Sequence, residues 1–370
     1  MLRLYRTKTP MNIFSNGELI FRAFLRQKQE KQMIPEHYRH TTLPPTQFPE
    51  LFVDTEKCKG CGRCVKTCPI QLLTLVNKKA ASNERYDFFR CINCENCMAV
   101  CPENAIRIEG DYRVEAGYWK NDTLYDNGKI YPEFSESVLT ETEKIIYKRR
   151  SIRLYKQKQV PKDMIRRVIE AGRYAPSAGN NQPWKFIVIQ DKEIIQKISK
   201  LCYQTLKFAT YLSLPHEWLD IKNKGNKNAG LKTWQELLLP FLVMFYKGDA
   251  DQRARGGVNA VTSDPEFDTT FGAPTLILIL SDKRAIGGTE LDLGICAQNM
   301  VIAAHAMGLG TCYVGLIDQA LRFHTQFKKE IGITAPFKIV TAITLGYPKG
   351  TIDTVVRREK ARIHWIAHNH

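Results

Sequence analysis

The sequence predicts an α+β protein in two unequal parts, a small cysteine-rich module in residues 51–110 and a larger domain from residue 143 onward. Eight of the eleven cysteines fall within residues 58–101. Beyond residue 143, helical patterns alternate with short apolar strands. At 370 residues, the chain is also too long for the module alone and has room for a second domain of ordinary size.

Composition sets the boundaries of these parts. Residues 1–50 form a cationic N-terminal extension with apolar positions on one side of a short helix. We interpret it as a docking segment that covers the module or a dimer; a transit peptide or a membrane-surface helix is the alternative. Residues 111–142 form an acidic linker rich in Tyr, Gly and Asn. We expect residues 143–370 to form the larger domain.

The cysteines form two copies of Cys-x2-Cys-x2-Cys-x3-Cys-Pro, a pattern typical of the ligands of two 4Fe-4S clusters. Three thiolates of each copy wrap one cluster. We expect the fourth thiolate, on a short helical turn begun by the proline, to point to the other cluster. This predicts one cluster on Cys58, Cys61, Cys64 and Cys101, and a second on Cys91, Cys94, Cys97 and Cys68.

The clusters would replace the apolar core that some sixty residues lack. Gly60 and Gly62 fit this interpretation, since backbone packed against a cluster leaves little room for a Cβ atom. A disulfide framework would require an oxidising compartment, and zinc sites usually consist of ligand pairs. We interpret Cys202, Cys296 and Cys312, outside the pattern, as buried apolar residues.

The net charge of +16 is uneven along the chain. Residues 149–370 carry 32 Lys and Arg against 19 Asp and Glu, or +13, whereas residues 51–110 carry 9 against 7, or +2. Such a surface can bind phosphate-bearing cofactors or acidic electron carriers. No nucleic-acid-binding motif accompanies the charge, so we do not expect a nucleic-acid partner.

Two motifs open the larger domain. Arg149-Arg150-Ser151-Ile152-Arg153 ends a predicted helix over 143–150 and suits a monoester phosphate, although a basic helix end is more often a solvated surface. A predicted helix over 162–171, stopped by Gly172, leads to the loop 175–184 and a strand over 186–190. In this loop, small residues allow close approach and amide side chains can contact ring nitrogens and carbonyls.

In this order, the two motifs resemble those of the nitroreductase-like family, in which they bind FMN. Later stretches also agree, namely a strand over 275–280, a buried helix over 292–308, a strand and turn over 311–315 and a last strand over 337–347. The resemblance implies a dimeric α+β sandwich with a central, mainly antiparallel sheet flanked by helices. About ninety residues separate Trp184 from Ala273, more than the family leads us to expect, so we predict an insertion at about 201–270.

Carried over by position, the resemblance implies two groups of FMN contacts. The phosphate and ribityl contacts are Arg149, Arg150, Ser151 and Arg153, with Arg357 or Arg358 as a further phosphate contact. The loop contacts, donated by the other subunit, are Pro176, Ser177, Ala178, Asn180 and Gln182. Val314 and Gly315 would supply backbone amides to the flavin ring. We name no catalytic side chain, because solvent or the ring can deliver protons.

Clusters and a flavin on one chain predict an internal electron path. The expected function is a cytoplasmic iron-sulfur flavoprotein oxidoreductase, a homodimer that takes electrons from ferredoxin or NAD(P)H. Its acceptor would be a nitroaromatic, quinone-like or other conjugated compound, and we do not expect membrane association. An electron-transfer subunit, a redox sensor and a flavin enzyme that delivers electrons outward through its clusters stay open as alternatives.

Overall fold

The computed structural model describes residues 46–47, 49–83, 91–110, 113–114, 137, 139–212, 260–262, 264–350 and 366. Nearly all of the predicted N-terminal extension, most of the linker and most of the insertion lie outside these residues. Arg357 and Arg358 lie outside them as well. The insertion begins inside a helix that runs from Lys192 to Leu212.

The cysteine-rich module contains short elements arranged as two related halves. They are β1 (Thr46–Gln47), β2 (Glu50–Val53), α1 (Arg63–Thr67), β3 (Leu73–Val76), β4 (Lys79–Ser82), α2 (Asn96–Ala99), β5 (Ile106–Glu109) and β6 (Arg113–Val114). Antiparallel pairs join β2 to β5, β3 to β4 and β1 to β6. The module therefore consists of small antiparallel ribbons around the cysteine loops.

Helices α1 and α2 precede the fourth cysteine of each repeat, while Pro69 and Pro102 begin turns. The prediction of helical turns begun by these prolines is wrong. A residue before proline is driven out of the helical region, and Cys68 accordingly has an extended backbone with ψ of 113°. The first helix therefore ends at Thr67, and the fourth cysteine leaves it in an extended conformation.

The larger domain alternates helices and strands. They are α3 (Glu141–Lys148), α4 (Lys162–Arg173), β7 (Trp184–Ile189), α5 (Lys192–Leu212), β8 (Thr275–Asp282), α6 (Thr289–Ala306), β9 (Gly310–Tyr313), α7 (Leu316–Leu321), α8 (Thr325–Glu330) and β10 (Phe337–Gly346). The four strands form an antiparallel sheet in the order β7-β8-β10-β9. Helices cover both faces, so the predicted α+β sandwich is confirmed.

Strand β8 shows why the sheet lies in the centre. Its run of apolar residues has no polar alternation, which is typical of a strand covered on both faces. Ile277 and Ile279 pack in the same apolar core as residues of α4 and α6. Leu276, Leu278 and Leu280 point the other way and pack with residues of α5 and α7.

Two helix ends differ from prediction. Helix α3 begins at Glu141 because Thr140 and Glu143 form a reciprocal capping box, and it ends at Lys148, so Arg149 and Arg150 follow the helix. Helix α4 continues through Gly172 to Arg173. Gly172 is a packing residue, since a Cβ atom there would lie 2.6 Å from Met300 Cγ of α6.

Candidate functional site

The first predicted set of cluster ligands comes together in one place. Cys58, Cys61, Cys64 and Cys101 line one concavity. Backbone and small side chains, including Gly60, Gly62, Ala80 and Ala105, complete its wall. Among the described residues, no three Cys, His, Asp or Glu side chains are placed to hold a single metal ion.

The second set is also gathered from both repeats. The thiols of Cys94, Cys68 and Cys91 lie close enough to Cys97 to contribute to the raised pKa of its thiol, after the larger effect of burial. The described cysteines include no disulfide. These positions fit the crossed ligand assignment, which stays a prediction.

Backbone amides point at the cysteine sulfurs in a symmetrical way. Gly60 N and Asn93 N lie 3.4 Å from the Sγ atoms of Cys58 and Cys91. Leu72 N and Ala105 N lie 3.3 Å from those of Cys68 and Cys101. Such hydrogen bonds stabilise thiolate charge and tune the reduction potential of an iron-sulfur cluster. The two repeats therefore share these two kinds of donor, and Ala80 N lies 3.4 Å from Cys58 Sγ as a further one.

Burial raises the pKa of the Cys64 thiol to about 11 and that of Cys91 to about 12. Without a positively charged partner, these thiols stay protonated at neutral pH. Iron binding must displace their protons, and the iron supplies the charge that keeps the buried sulfurs ionised. The burial of these ligands fits a metal-sulfide group at the centre of the module.

Left-handed backbone positions also repeat. Gly60 and Gly62 have φ of +69° and +68°, and Asn93 and Glu95 at the equivalent positions have φ of +51° and +55°. We expected a bound cluster to exclude a side chain at Gly60. The structure gives a different cause, because a Cβ atom there would lie 1.9 Å from the carbonyl oxygen of Lys78. The glycine is required by its φ and by this carbonyl, whatever the cluster contributes.

The basic motif of the larger domain lies beside strand β9. Ser151 bridges Thr311, and Ile152 N donates to the carbonyl of Thr311 at 2.8 Å. The Tyr155 hydroxyl anchors the segment by donating to the Ile152 carbonyl at 2.7 Å. Arg149, Arg150, Ser151 and Arg153 are thus held on a fixed extended segment that follows α3.

Glu95 of the second cysteine repeat forms an ion pair with this motif. Glu95 Oε2 lies 3.7 Å from Arg150 Nη2, and the two residues are 8% and 3% exposed. A left-handed backbone is costly for a glutamate, and strain of this kind is held where surrounding structure requires it. Glu95 was not among the predicted site residues; the available signal was a charged residue at the position that Gly62 occupies in the other repeat.

Arg153 has an incomplete set of partners. Its Nη1 is buried and has no hydrogen-bond acceptor among the described residues. Its guanidinium lies 5.7 Å from the ring centre of Phe271. Burial acts to lower the pKa of Arg153, but the net shift is upward because the thiols of Cys312, Cys94 and Cys68 and the Tyr155 phenol lie near it. A buried donor that lacks an acceptor fits a bound anion or polar ring beside the second set of cysteines.

The predicted loop motif is a strained turn on the surface. Asn180 and Gln182 have φ of +54° and +47°, and Gln182 N donates to Ser177 Oγ at 2.9 Å. Ala178 N donates to Asp292 Oδ2 of α6 at 3.2 Å. Pro176, Asn180 and Gln182 are exposed. The turn therefore presents its amide side chains outward from its own subunit.

The structure does not bring the two motifs together within one chain. The loop leads into β7, where Trp184 pairs with Ser281 near one end of β8. Ser151 bridges Thr311 of β9. Through Leu345 of β10, Thr311 is in register with Thr275 at the other end of β8. These positions lie at opposite edges and opposite ends of the described sheet. Four strand spacings and six residues of rise separate Ser151 from Trp184 by about 19 Å across the strands and about 20 Å along them.

One predicted backbone contact needs correction. Val314 N donates to the carbonyl of Ala342 at 2.9 Å, so this amide is engaged by the sheet and we no longer expect it to reach a flavin. Gly315 stands directly before α7, where amide groups have no acceptor within the helix. The contact of the Gly315 amide with the flavin ring stays a prediction.

Cys202, Cys296 and Cys312 are buried, which confirms the interpretation of these residues as part of the apolar core.

Two family models match the chain. A model described as the nitroreductase family matches residues 146–347, and one described as a 4Fe-4S dicluster domain matches residues 57–105. The first match spans more than half of the 370 residues. The chain therefore belongs to the nitroreductase family and carries an N-terminal dicluster ferredoxin domain, as the sequence predicted.

Individual relatives agree with the two models. A protein of Archaeoglobus fulgidus described as an NADH dehydrogenase or NAD(P)H nitroreductase is 25% identical over 215 residues, 58% of this chain and 90% of that protein. A ferredoxin of Methanocaldococcus jannaschii is 43% identical over 60 residues, 16% of this chain and 78% of its own length. A solved nitroreductase of Bacteroides fragilis with bound FMN covers 63% of this chain and all of its own, at a TM-score of 0.43 and 18% identity.

None of the helices in the described residues is both long enough and apolar enough to span a membrane.

Proposed function

We propose that this chain is an iron-sulfur flavoprotein oxidoreductase that passes electrons from an external donor through its dicluster domain to FMN and on to an organic acceptor. It is a nitroreductase-family enzyme, so nitroaromatic compounds are the first class of acceptor, with quinone-like and other conjugated compounds next. When bound, the clusters carry single electrons and FMN accepts or donates electrons singly or as a hydride. The residues of the chain hold and orient these groups.

The buried contact between Glu95 and Arg150 is the observation that carries the proposal. It joins the residue next to Cys94, a predicted cluster ligand, to the motif that holds the flavin phosphate in this family. Arg153 of the same motif lies near the thiols of Cys94 and Cys68. The second set of cysteines is therefore the one adjacent to the flavin segment, as an electron path requires.

The described residues fit FMN at this motif. Arg153 offers a buried donor without an acceptor, and its neighbours Arg149 and Arg150 supply further guanidinium groups suited to a phosphate monoester. Bound FMN would satisfy Arg153 and be held by its phosphate. This matches the cofactor described for the Bacteroides fragilis protein.

We propose that two subunits complete each flavin site. The loop Pro176 to Gln182 lies too far from Arg153 in its own chain to contact the same flavin, given the separation across the sheet. Near this loop, the apolar side chains of Ile286 and Leu291 are 62% and 68% exposed, and Gly179 packs against Ile286. An exposed apolar surface around polar ligands is typical of a subunit interface.

The test of the electron path uses a variant that cannot assemble its clusters, Cys58→Ser with Cys94→Ser. Under anaerobic conditions, reduced bacterial ferredoxin should drive reduction of 4-nitrobenzoate by the wild type. The variant should lose this activity, keep its FMN and still reduce the acceptor once its FMN is chemically reduced. Equal ferredoxin-driven turnover in both proteins would show that the clusters are structural or sensory.

A second variant keeps both clusters. Glu95→Gln removes the carboxylate charge that lies 3.7 Å from Arg150, so we expect transfer from the module to FMN to slow about tenfold. Glu50→Gln, at an exposed carboxylate of the same module, is the control and should transfer electrons at the wild-type rate. NAD(P)H, suggested by the Archaeoglobus relative, should reduce FMN equally in both variants.

A further inference from the structure

We propose that electrons enter the molecule at the first cluster, through a docking surface for an acidic electron-carrier protein. This surface, the entry face, consists of Lys59, Arg63, Lys66, Leu75, Val76 and Lys78. The inference rests on the proposed electron path and deepens it, because it places the donor at one of the two clusters. Most of the net charge lies in the larger domain. The inference nevertheless places the docking site for the donor on the module.

The two sets of cysteines differ in their exposure to solvent. Cys61 is exposed, whereas Cys94 at the equivalent position of the other repeat is half-buried. The concavity of the first set is lined by residues of the module itself. The second set lies beside Arg150 and Arg153 of the larger domain. A partner protein can therefore approach the first set closely, while the second set lies against the flavin segment.

The entry face carries positive charge that the described part of the chain does not neutralise. Lys59, Lys66 and Lys78 are exposed and Arg63 is half-buried. Among the described residues, no carboxylate lies within ion-pair distance of these four side chains. Two neighbouring lysines are already engaged: Lys57 pairs with Asp54 at 3.1 Å, and Lys79 Nζ donates to the carbonyl of Cys58 at 2.6 Å.

A small apolar patch lies between these cations. Leu75 and Val76 are 44% and 52% exposed at the end of β3, and Leu75 also lines the concavity of the first set. The hairpin that carries them turns through Asn77 and Lys78, both left-handed, as a tight two-residue turn requires. The carbonyl of Lys78 packs on Gly60, which fixes this tip over the cysteine loop.

An apolar centre surrounded by charged residues is the arrangement of a protein docking surface, and the charges steer the encounter. Because the charge is positive, the fitting partner is an acidic electron carrier such as a ferredoxin. The exposed acids of the same part of the module are Asp54, which Lys57 neutralises, Glu56, and Glu103, which lines the concavity. Four cations of the entry face therefore stand against two unpaired carboxylates among the described residues. The second repeat has the uncharged residues Ile92, Asn96 and Ala99 at the positions of Lys59, Arg63 and Lys66. Its Glu95, at the position of Gly62, is buried against Arg150.

The experiment reverses two charges of the entry face, Lys66→Glu on α1 with Lys78→Glu on the hairpin. A matched control reverses two exposed lysines of the larger domain, Lys162→Glu with Lys192→Glu. The probe is a reduced, acidic bacterial two-cluster ferredoxin, and rapid mixing measures the rate constant for cluster reduction at several salt concentrations. Photoreduced 5-deazaflavin, an uncharged reductant, checks that the clusters of every variant accept electrons.

We expect the module variant to lose about tenfold or more of the ferredoxin rate at low salt, because attraction becomes repulsion. Its remaining rate should respond less to salt than that of the wild type. The control should stay within about twofold of the wild type, and 5-deazaflavin should reduce all three proteins equally. A wild-type ferredoxin rate in the module variant, or an equal loss in the control, would overturn the inference.

A second variant guards against local damage. Lys59→Gln removes one charge of the entry face without reversing it and should lower the ferredoxin rate severalfold, with 5-deazaflavin reduction unchanged. The docking result is distinguishable from the proposed function. Rates of cluster reduction that depend on Lys66 and Lys78, together with acceptor turnover that does not need the clusters, would support the entry face and reject the internal electron path.

Discussion

The two cysteine repeats have nearly the same local structure and face different surroundings. In both, backbone amides lie 3.3–3.4 Å from equivalent sulfurs, and two residues between the cysteines are left-handed. In the first repeat, Gly60 and Gly62 occupy the left-handed positions, and exposed lysines lie nearby. The second uses Asn93 and Glu95 and contacts Arg150. The local backbone geometry is thus shared, and we propose that the surroundings of each repeat set the direction of electron flow.

The largest expected effect tests whether the repeats exchange their fourth ligands. Cys68→Ser should abolish the cluster held by Cys91, Cys94 and Cys97, and total iron should fall from about eight toward about four per chain. Brief alkylation followed by mass spectrometry should label those three cysteines and leave Cys58, Cys61 and Cys64 protected. Cys101→Ser should give the opposite pattern. Labelling of the nearer cysteines in either variant would contradict the crossed assignment.

A smaller effect compares the glycines of the first repeat with their counterparts. Gly60→Ala would place a Cβ atom 1.9 Å from the Lys78 carbonyl at a φ of +69°. We expect it to destabilise the module by about 2 to 5 kcal/mol. Asn93→Gly is the matched change, and should be neutral or stabilising by up to about 1 kcal/mol, because glycine adopts this backbone freely. Loss of cluster absorption with increasing guanidinium chloride measures both, and equal midpoints would refute the comparison.

The smallest effect concerns Arg153, which lies near the second set of cysteines. Arg153→Gln removes the charge near Cys94 and Cys68, so it should weaken FMN binding by about 2 kcal/mol, or about thirtyfold. It should also lower the reduction potential of the second cluster, because a nearby positive charge favours the added electron, and leave the first cluster unchanged. Arg173→Gln, an exposed arginine paired with Glu170, is the control. Flavin fluorescence and a spectroscopic redox titration measure the two effects.

Much of this architecture could be predicted because its signals are local. The cysteine spacing indicated two clusters, and residues 275–280 were predicted as a strand. Errors arose where a neighbouring element decides the local structure. Gly172 reads as a helix stop, yet helix α4 continues through it because Met300 of α6 requires its missing side chain. Val314 reads as a flavin contact, yet the carbonyl of Ala342 takes its amide.

The sequence by itself determined which residues can bind iron and phosphate, since ligand chemistry and spacing are written along the chain. The tertiary structure decided which cluster lies beside the flavin segment, because that depends on Glu95 and Arg150, fifty-five positions apart, meeting in a buried ion pair. It also placed the two flavin motifs at opposite corners of one sheet. Strand order and register fix such distances, and no local pattern of residues encodes them.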